Sequence, residues 1–212
     1  MGDFARDVRK CREGTWDGRF ALEVRPDTPR ALVRAGLPDL PMDMTARHVT
    51  DAMRGGLGAN GAHGLPEGFV ASLPGLLSQP VAAWVSERGD GRLSVLLDAS
   101  DGARRPVVCV VQPAGRAWGR AGAHESNFVV SAYGMRRPSV ERSLSSAERD
   151  GRLLMVDCAA LRRLEARCGI EVTHGPLRGE GRTPSASEIV AVAAACPGTG
   201  SRAEVAREGC LR

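Results

Sequence analysis

"PVAAWVSERGDGRLSVLLDASDGARRPVVCVVQ", residues 80–112, decides the fold. Residues 80–87 and 92–99 are rich in Val, Leu and Ala, and the "RGDG" between them is a hairpin-like turn. After "SDGARR" comes "PVVCVVQ" (106–112), almost wholly apolar and therefore read as a central strand. A longer Gly/Arg loop then leads into a fourth strand, "SNFVVSAYG" (126–134). Short links between successive strands predict an antiparallel meander.

The fourth strand sets the question of function. Read with simple alternation, it puts Asn127, Val129, Ser131 and Tyr133 on one face and Phe128, Val130 and Ala132 on the other. The apolar side predicts a core. The other predicts a polar hollow, which Arg92, Ser94 or Arg105 from neighbouring strands would join. Tyr133 is the only tyrosine in the chain.

Working outward, residues 1–18 are polar and rich in turn formers, which predicts a lead-in. "RFALEV" (19–24) alternates as a strand would. In "PDTPRALVRAGLP" (26–38), Thr28 suits an N-cap, Pro29 a first helical position and Gly36 a left-handed exit. "LPDLPMDM" (37–44) holds two prolines and predicts an extended run. Thr45 then caps "ARHVTDAMR" (46–54), with Ala46, Val49, Ala52 and Met53 on one face and His48 at its border. The glycine-rich "GGLGANGAHG" (55–64) ends near His63, and "PEGFVASLP" (66–74) predicts another helix.

Beyond the meander, "SVERSLSSAERD" (139–150) is weakly amphipathic and "GRLLMVD" (151–157) is a short strand. "AALRRLEARCG" (159–169) is a helix stopped by Gly169, and "IEVTHG" (170–175) suits an edge strand. These pieces predict an α+β domain: N-terminal helices packed on one face of a four-stranded antiparallel meander, with extra C-terminal α/β elements. The boundaries fall at 1–26 for the lead-in, 27–175 for the domain, and 176–212 for a linker and C-terminal helix. That last helix is marked by the Ser185-x-x-Glu188 capping spacing.

A hydrophobic content of 42% and a charged content of 25% allow an ordinary packed core. Aromatics are only 4%, so Val, Leu and Ala must fill it. The formal charge of +4 does not by itself imply nucleic acid. Between Ala103 and Arg142, however, seven arginines stand against Glu125 and Glu141, a local +5 that favours anionic ligands. Six cysteines lie far apart with no C-x-x-C pair, so zinc spacing is missing and free thiols in a reducing, cytoplasmic setting are expected. No apolar run is long enough for a signal sequence or membrane span.

Two imidazoles, His48 and His63, flank the same helical stretch and could act as acid and base, one neutral while the other is protonated. A helix-border histidine and a loop histidine with no shared task fit the spacing as well. Ser131 and Tyr133 could orient a nucleotide, Tyr133 by stacking, and Asn127 would extend that contact. Arg105, Arg136 and Arg137 could hold a phosphate or stabilise charge at phosphorus, or sit as plain surface arginines. Neither a Walker loop nor a G-x-S-x-G elbow occurs, and "GGLGANG" follows a helix where a phosphate loop follows a strand. Carboxylates on the expected sheet are few, so neither a metal nor another cofactor is expected.

The string "AGLPDLPMDMTARHV…HGLPEGFVASLPGLLSQPVAAWVSE…LSVLLDA…RRPVVCVVQ…NFVVSAYG…RDGRLLMVD" resembles the C-terminal domain of MuF-type phage head proteins, also found in polyvalent proteins of mobile elements. The resemblance covers roughly residues 27–175. It rests on the doubled Leu-Pro of "LPDLP", the helix histidine, "H-x-L-P-E", the "QP" before the sheet, and "N-x-x-x-S-x-Y". That family is grouped with the barnase/EndoU/colicin/RelE-like nuclease fold. The resemblance therefore implies a metal-independent endoribonuclease, a toxin-like phage or mobile-element effector. It would cut RNA, tRNA included, by 2′-hydroxyl attack to a 2′,3′-cyclic phosphate. In that reading His63 or His48 is the base and the other the acid. Arg105 or Arg136 stabilises the phosphorane, and Ser131 and Tyr133 position the nucleotide. An immunity or host protein is a further implied partner, and delivery into a host cell with a phage particle a further implied location. The rival expectation is a non-catalytic accessory protein that binds a host protein or nucleic acid through the same hollow.

Overall fold

The computed structural model describes residues 3–54, 64–87 and 90–171. In chain order the elements are α1 (Phe4–Glu13), β1 (Leu22–Arg25), α2 (Arg30–Arg34), β2 (Met42–Met44), α3 (Ala46–Met53), α4 (Glu67–Ala71) and α5 (Leu73–Leu76). Then come β3 (Pro80–Val85), β4 (Leu93–Ser100), β5 (Pro106–Gly119), β6 (Gly122–Gly134), α6 (Arg137–Arg149), β7 (Leu153–Val156) and α7 (Cys158–Cys168). The segment 176–212, with its expected linker and helix, lies outside the described residues.

The strands form one seven-stranded mixed sheet in the order β1-β2-β6-β5-β4-β3-β7. Its centre is the β3–β6 run, each strand antiparallel to the next. Three strands widen it beyond the four expected. β7 pairs antiparallel with β3. On the far side β2 lies parallel to β6, and β1 closes that edge antiparallel to β2. The proline-rich 37–44 run thus supplies a strand, since Pro38 and Pro41 precede the three residues that pair.

Helices cover both sheet faces, where the sequence predicts one. Val49, Val70, Leu73 and Leu77 from the N-terminal half pack with Val95, Leu97, Val107, Cys109, Val129 and Ala132. On the opposite face α6 and α7 bring Val140, Leu144, Leu161 and Leu164 onto Val81, Trp84, Leu96 and Val108. Alternation along β4 and β5 explains the split: odd residues enter the first core and Leu96 and Val108 the second. The Val/Leu stripes of the C-terminal helices bury against that second face.

Where composition predicts a lead-in, residues 4–13 form α1. Asp3 caps it by accepting from the Arg6 N–H at 3.2 Å, and Gly14 ends it at φ +70. Phe4, Val8 and Cys11, spaced as one helix face, join the first core. Thr28 also departs from its expected role: α2 has no side-chain cap, and the hydroxyl donates to the Leu40 carbonyl at 2.6 Å.

A second departure changes the reading of β6. Val110 pairs with Ser131 but Val111 pairs with Val129, so Val130 is an extra residue on β6, a β-bulge. Val129 and Ala132, three apart, consequently both enter the first core. The bulge reverses which face each residue meets. Asn127 and Val129 lie on one side, Ser131 and Tyr133 on the other. The expected single polar face of Asn127, Ser131 and Tyr133 does not exist. β5 carries its own irregularity between Gln112 and Gly115, with Ala114 at φ +48, and continues to Gly119 through what the sequence predicts as loop.

Cys11, Cys109, Cys158 and Cys168 are free thiols. Burial pushes Cys109 up to about 12, and burial with the nearby Asp7 carboxylate pushes Cys11 up to about 11. Each folded value lies above the ordinary thiol range of roughly 8.5, so above that pH the unfolded chain has lost protons that the fold retains. Stability is therefore flat in this respect below the ordinary range and falls as pH rises through it. A urea midpoint lower at pH 9.5 than at pH 7.5, with the slope reduced in Cys109→Ala, is the expected result.

Candidate active site

The sheet separates the residues that the sequence draws together. His48 sits on α3, whose Val49 and Ala52 belong to the first core. Ser131 and Tyr133, half-buried on β6, face the other side, beside Val110 and Val108. Ser94 lies on that same side, opposite Val110, and Arg92 Nε donates to Gln112 Oε1 at 2.9 Å nearby. A shallow polar face does exist there, then, but without His48. His63 lies outside the described residues.

Arg105 is engaged in the fold. Asp101 accepts from the Arg105 backbone N–H at 2.8 Å and from Arg105 Nε at 2.6 Å, closing the β4–β5 turn. A side-chain carbon placed on Gly134 would meet Asp101 and Arg105, so the pair packs under the end of β6, on the face away from Tyr133. Arg136 is the exposed N-cap of α6. A carbon placed on Gly169 would stand 3.0 Å from Arg137 Nη1, which puts this guanidinium at the C-terminus of α7, where a cation is favoured. Asn127 is wholly buried and holds backbone together.

One pairing that the sequence reading missed has the geometry of a proton-transfer site. His124, near the start of β6, places Nε2 2.7 Å from Asp43 Oδ2. The imidazole is 36% exposed while the carboxylate is 3% exposed. β2 positions Asp43: Met42 and Met44 enter the first core, so the residue between them points away from it. Its carboxylate accepts from Nε2–H, which leaves the lone pair of the neutral ring on Nδ1. Nδ1 stands 3.4 Å from the Gly122 carbonyl. Once Nδ1 takes a proton, that carbonyl becomes a second acceptor for the imidazolium beside Asp43. The pair can therefore accept a proton and return it.

Glycine at position 119 keeps the ring clear. A carbon there would stand 3.0 Å from Cε1 and 3.4 Å from Nδ1 of His124. Gly119→Ala is expected to tilt the ring or cover Nδ1 while leaving the fold intact. Any activity that depends on His124 should fall by about tenfold or more, with the thermal midpoint within a few degrees. The signal for this site was present: His124 stands two residues before the expected fourth strand, and an aspartate between two methionines in an extended run is an isolated charge in an apolar setting.

These features define an α+β domain on a mixed sheet, with a carboxylate-held imidazole where a short parallel strand meets the long hairpin. Residues 58–160 match the family model of the phage MuF-C-terminal domain. The match supports a MuF-type phage assignment for this stretch, which spans β3–β6, α6 and β7 and includes His124. Asp43 precedes it. No curated protein and no solved structure matches the chain. Among the described residues, no helix is long and apolar enough to cross a membrane.

Proposed function

We propose that this domain is an endoribonuclease that needs no metal and uses His124 as its proton-transferring group. The observation that carries the reading is the half-exposed imidazole held 2.7 Å from a buried carboxylate. RNA brings its own nucleophile. A protein that removes the 2′-hydroxyl proton therefore supplies the central step. His124 Nδ1 takes that proton, the 2′-oxygen bonds to phosphorus, and the bond to the 5′-oxygen breaks. A 2′,3′-cyclic phosphate remains, and the departing oxygen is protonated by a second donor, for which His63 is the candidate to test, since His48 rides on a helix of the opposite face. Asp43 holds the tautomer and stabilises the imidazolium once it forms. Ser131 and Tyr133 lie about 20–30 Å further along β6, so in this reading they would touch nucleotides remote from the cut.

The test is incubation of the full chain with total RNA in EDTA. Fragments bearing 2′,3′-cyclic ends, absent with His124→Ala, are expected. Intact RNA at micromolar protein would overturn the proposal. The dyad would then be a pin between β2 and β6, and the chain a non-catalytic accessory module.

A further inference from the structure

The outer half of β5 carries a pattern that the proton-transfer site does not use. Arg116, Trp118 and Arg120 alternate along the end of β5 and its turn, and all three are exposed. Between them Ala117 is buried, and Gly119 lies against the His124 ring. The three side chains thus share the face of the hairpin turned away from His124. Trp118 is 58% exposed and is the exposed large apolar side chain among the described residues.

This stripe continues onto the helical half. The Arg120 guanidinium lies over the Trp16 ring, 5.3 Å from its centre. Trp16 in turn forms a wall of a cleft of about 430 Å³ between the end of α1 and α3, together with Arg47, Thr50, Asp51 and Arg54. Arg47 and Arg54 are largely solvent-facing, with Asp51 3.7 and 3.9 Å from them. Along this route Arg47, Arg54, Arg116, Arg120 and Arg19 stand against Asp51, the cross-strand Glu125 and Asp17, the last paired with Arg19 at 2.7 Å. The surface is therefore cationic, with two indole rings set into it.

We infer that this surface binds single-stranded nucleic acid. Every base has a face that can stack on an indole, and guanidiniums on either side meet the backbone phosphates. Arg116 and Arg120 stand roughly 13 Å apart along the strand, a span that brackets a base stacked on Trp118. Duplex offers no free base faces, and an acidic peptide offers charge without rings to stack. The inference rests on this stripe and cleft, not on cleavage, and holds even for a chain that cuts nothing.

The test measures binding of the full chain, by fluorescence anisotropy, to three 12-mers: 2′-O-methyl RNA, which cannot be cut by its own 2′-oxygen, single-stranded DNA, and duplex DNA. Single strands should bind more tightly than duplex. Trp118→Ala should weaken binding about 5- to 150-fold, and Trp118→Phe should restore much of it. Arg116→Ala with Arg120→Ala should lower the salt dependence. Trp118 is exposed, so these variants should keep the parent circular dichroism. The RNA and DNA arms tell which sugar is preferred, and either outcome supports the inference. No binding at low salt, equal binding of duplex, unchanged affinity of Trp118→Ala, or displacement by poly-glutamate as effective as by oligonucleotide would each overturn it. Cleavage that survives loss of this binding would leave the nuclease proposal standing alone, and binding without cleavage the reverse.

Discussion

His124→Ala is expected to remove RNA cleavage by a factor of about 10²–10⁴, the usual contribution of a positioned acid–base group. The loss should appear in kcat, because the ring acts on the reacting proton and a stacked or phosphate-bound RNA does not need it for affinity. Asp43→Asn is the sharper comparison. Its side-chain oxygen can still accept from Nε2–H, but the amide can also turn and donate, so the tautomer with Nδ1 free is no longer enforced. It also removes the charge that stabilises the imidazolium. A fall of at least about tenfold is expected, with circular dichroism unchanged. His48→Ala should have little effect on the 2′-hydroxyl step, since His48 rides on a helix of the first core while Asp43 points away from it. A His124→Ala protein that is folded and still cleaves at the parent rate would remove His124 from the reaction.

The meander was legible because its strands are Val- and Leu-rich and its turns carry Asp and Gly, so period and punctuation agree. Helix ends were legible for similar reasons. Thr45 accepts from the His48 N–H as its position predicts, and Gly169 exits α7 at φ +64. What the sequence hid was parity. A bulge is one extra residue, and Val130 is chemically identical to its neighbour Val129. Nothing local marks it, yet it decides which side Ser131 and Tyr133 face. The Gly/Arg stretch after Gln112 misled in the opposite direction. It reads as a loop, whereas β5 runs on through it, the irregularity between Gln112 and Gly115 accommodating Pro113. The ring of Phe128 occupies the space that a side chain on Gly115 would need, a carbon there standing 2.8 Å from it. The His124–Asp43 pair escaped because its members lie 81 residues apart and meet only through the parallel β2–β6 contact. Parallel neighbours leave no hairpin signature.

Asn127→Ala is expected to cost about 3–5 kcal/mol of stability. The side chain is 0% exposed and bonds to three segments. Its oxygen accepts from the Ala114 N–H at 3.1 Å, inside the β5 irregularity. Its nitrogen donates to Thr28 Oγ1 and to the Pro38 carbonyl, both at 2.8 Å. Removal leaves the part-buried Ala114 N–H and Pro38 carbonyl without this partner, each worth about 1–3 kcal/mol when left unpaired, and opens a small cavity. Thr28 is hurt less because it keeps its bond to Leu40. Asn127→Asp separates hydrogen bonding from volume: the shape is kept, but the donor facing Pro38 becomes a buried acceptor, so the loss should be no smaller. With a urea slope of about 1–3 kcal/mol/M, the midpoint should fall by at least about 1 M in either variant. The same experiment decides between the sequence-based expectation of a nucleotide contact and the clamp. A clamp lowers stability while the still-folded fraction keeps its rate, whereas a nucleotide contact raises KM in a protein whose urea midpoint has not moved.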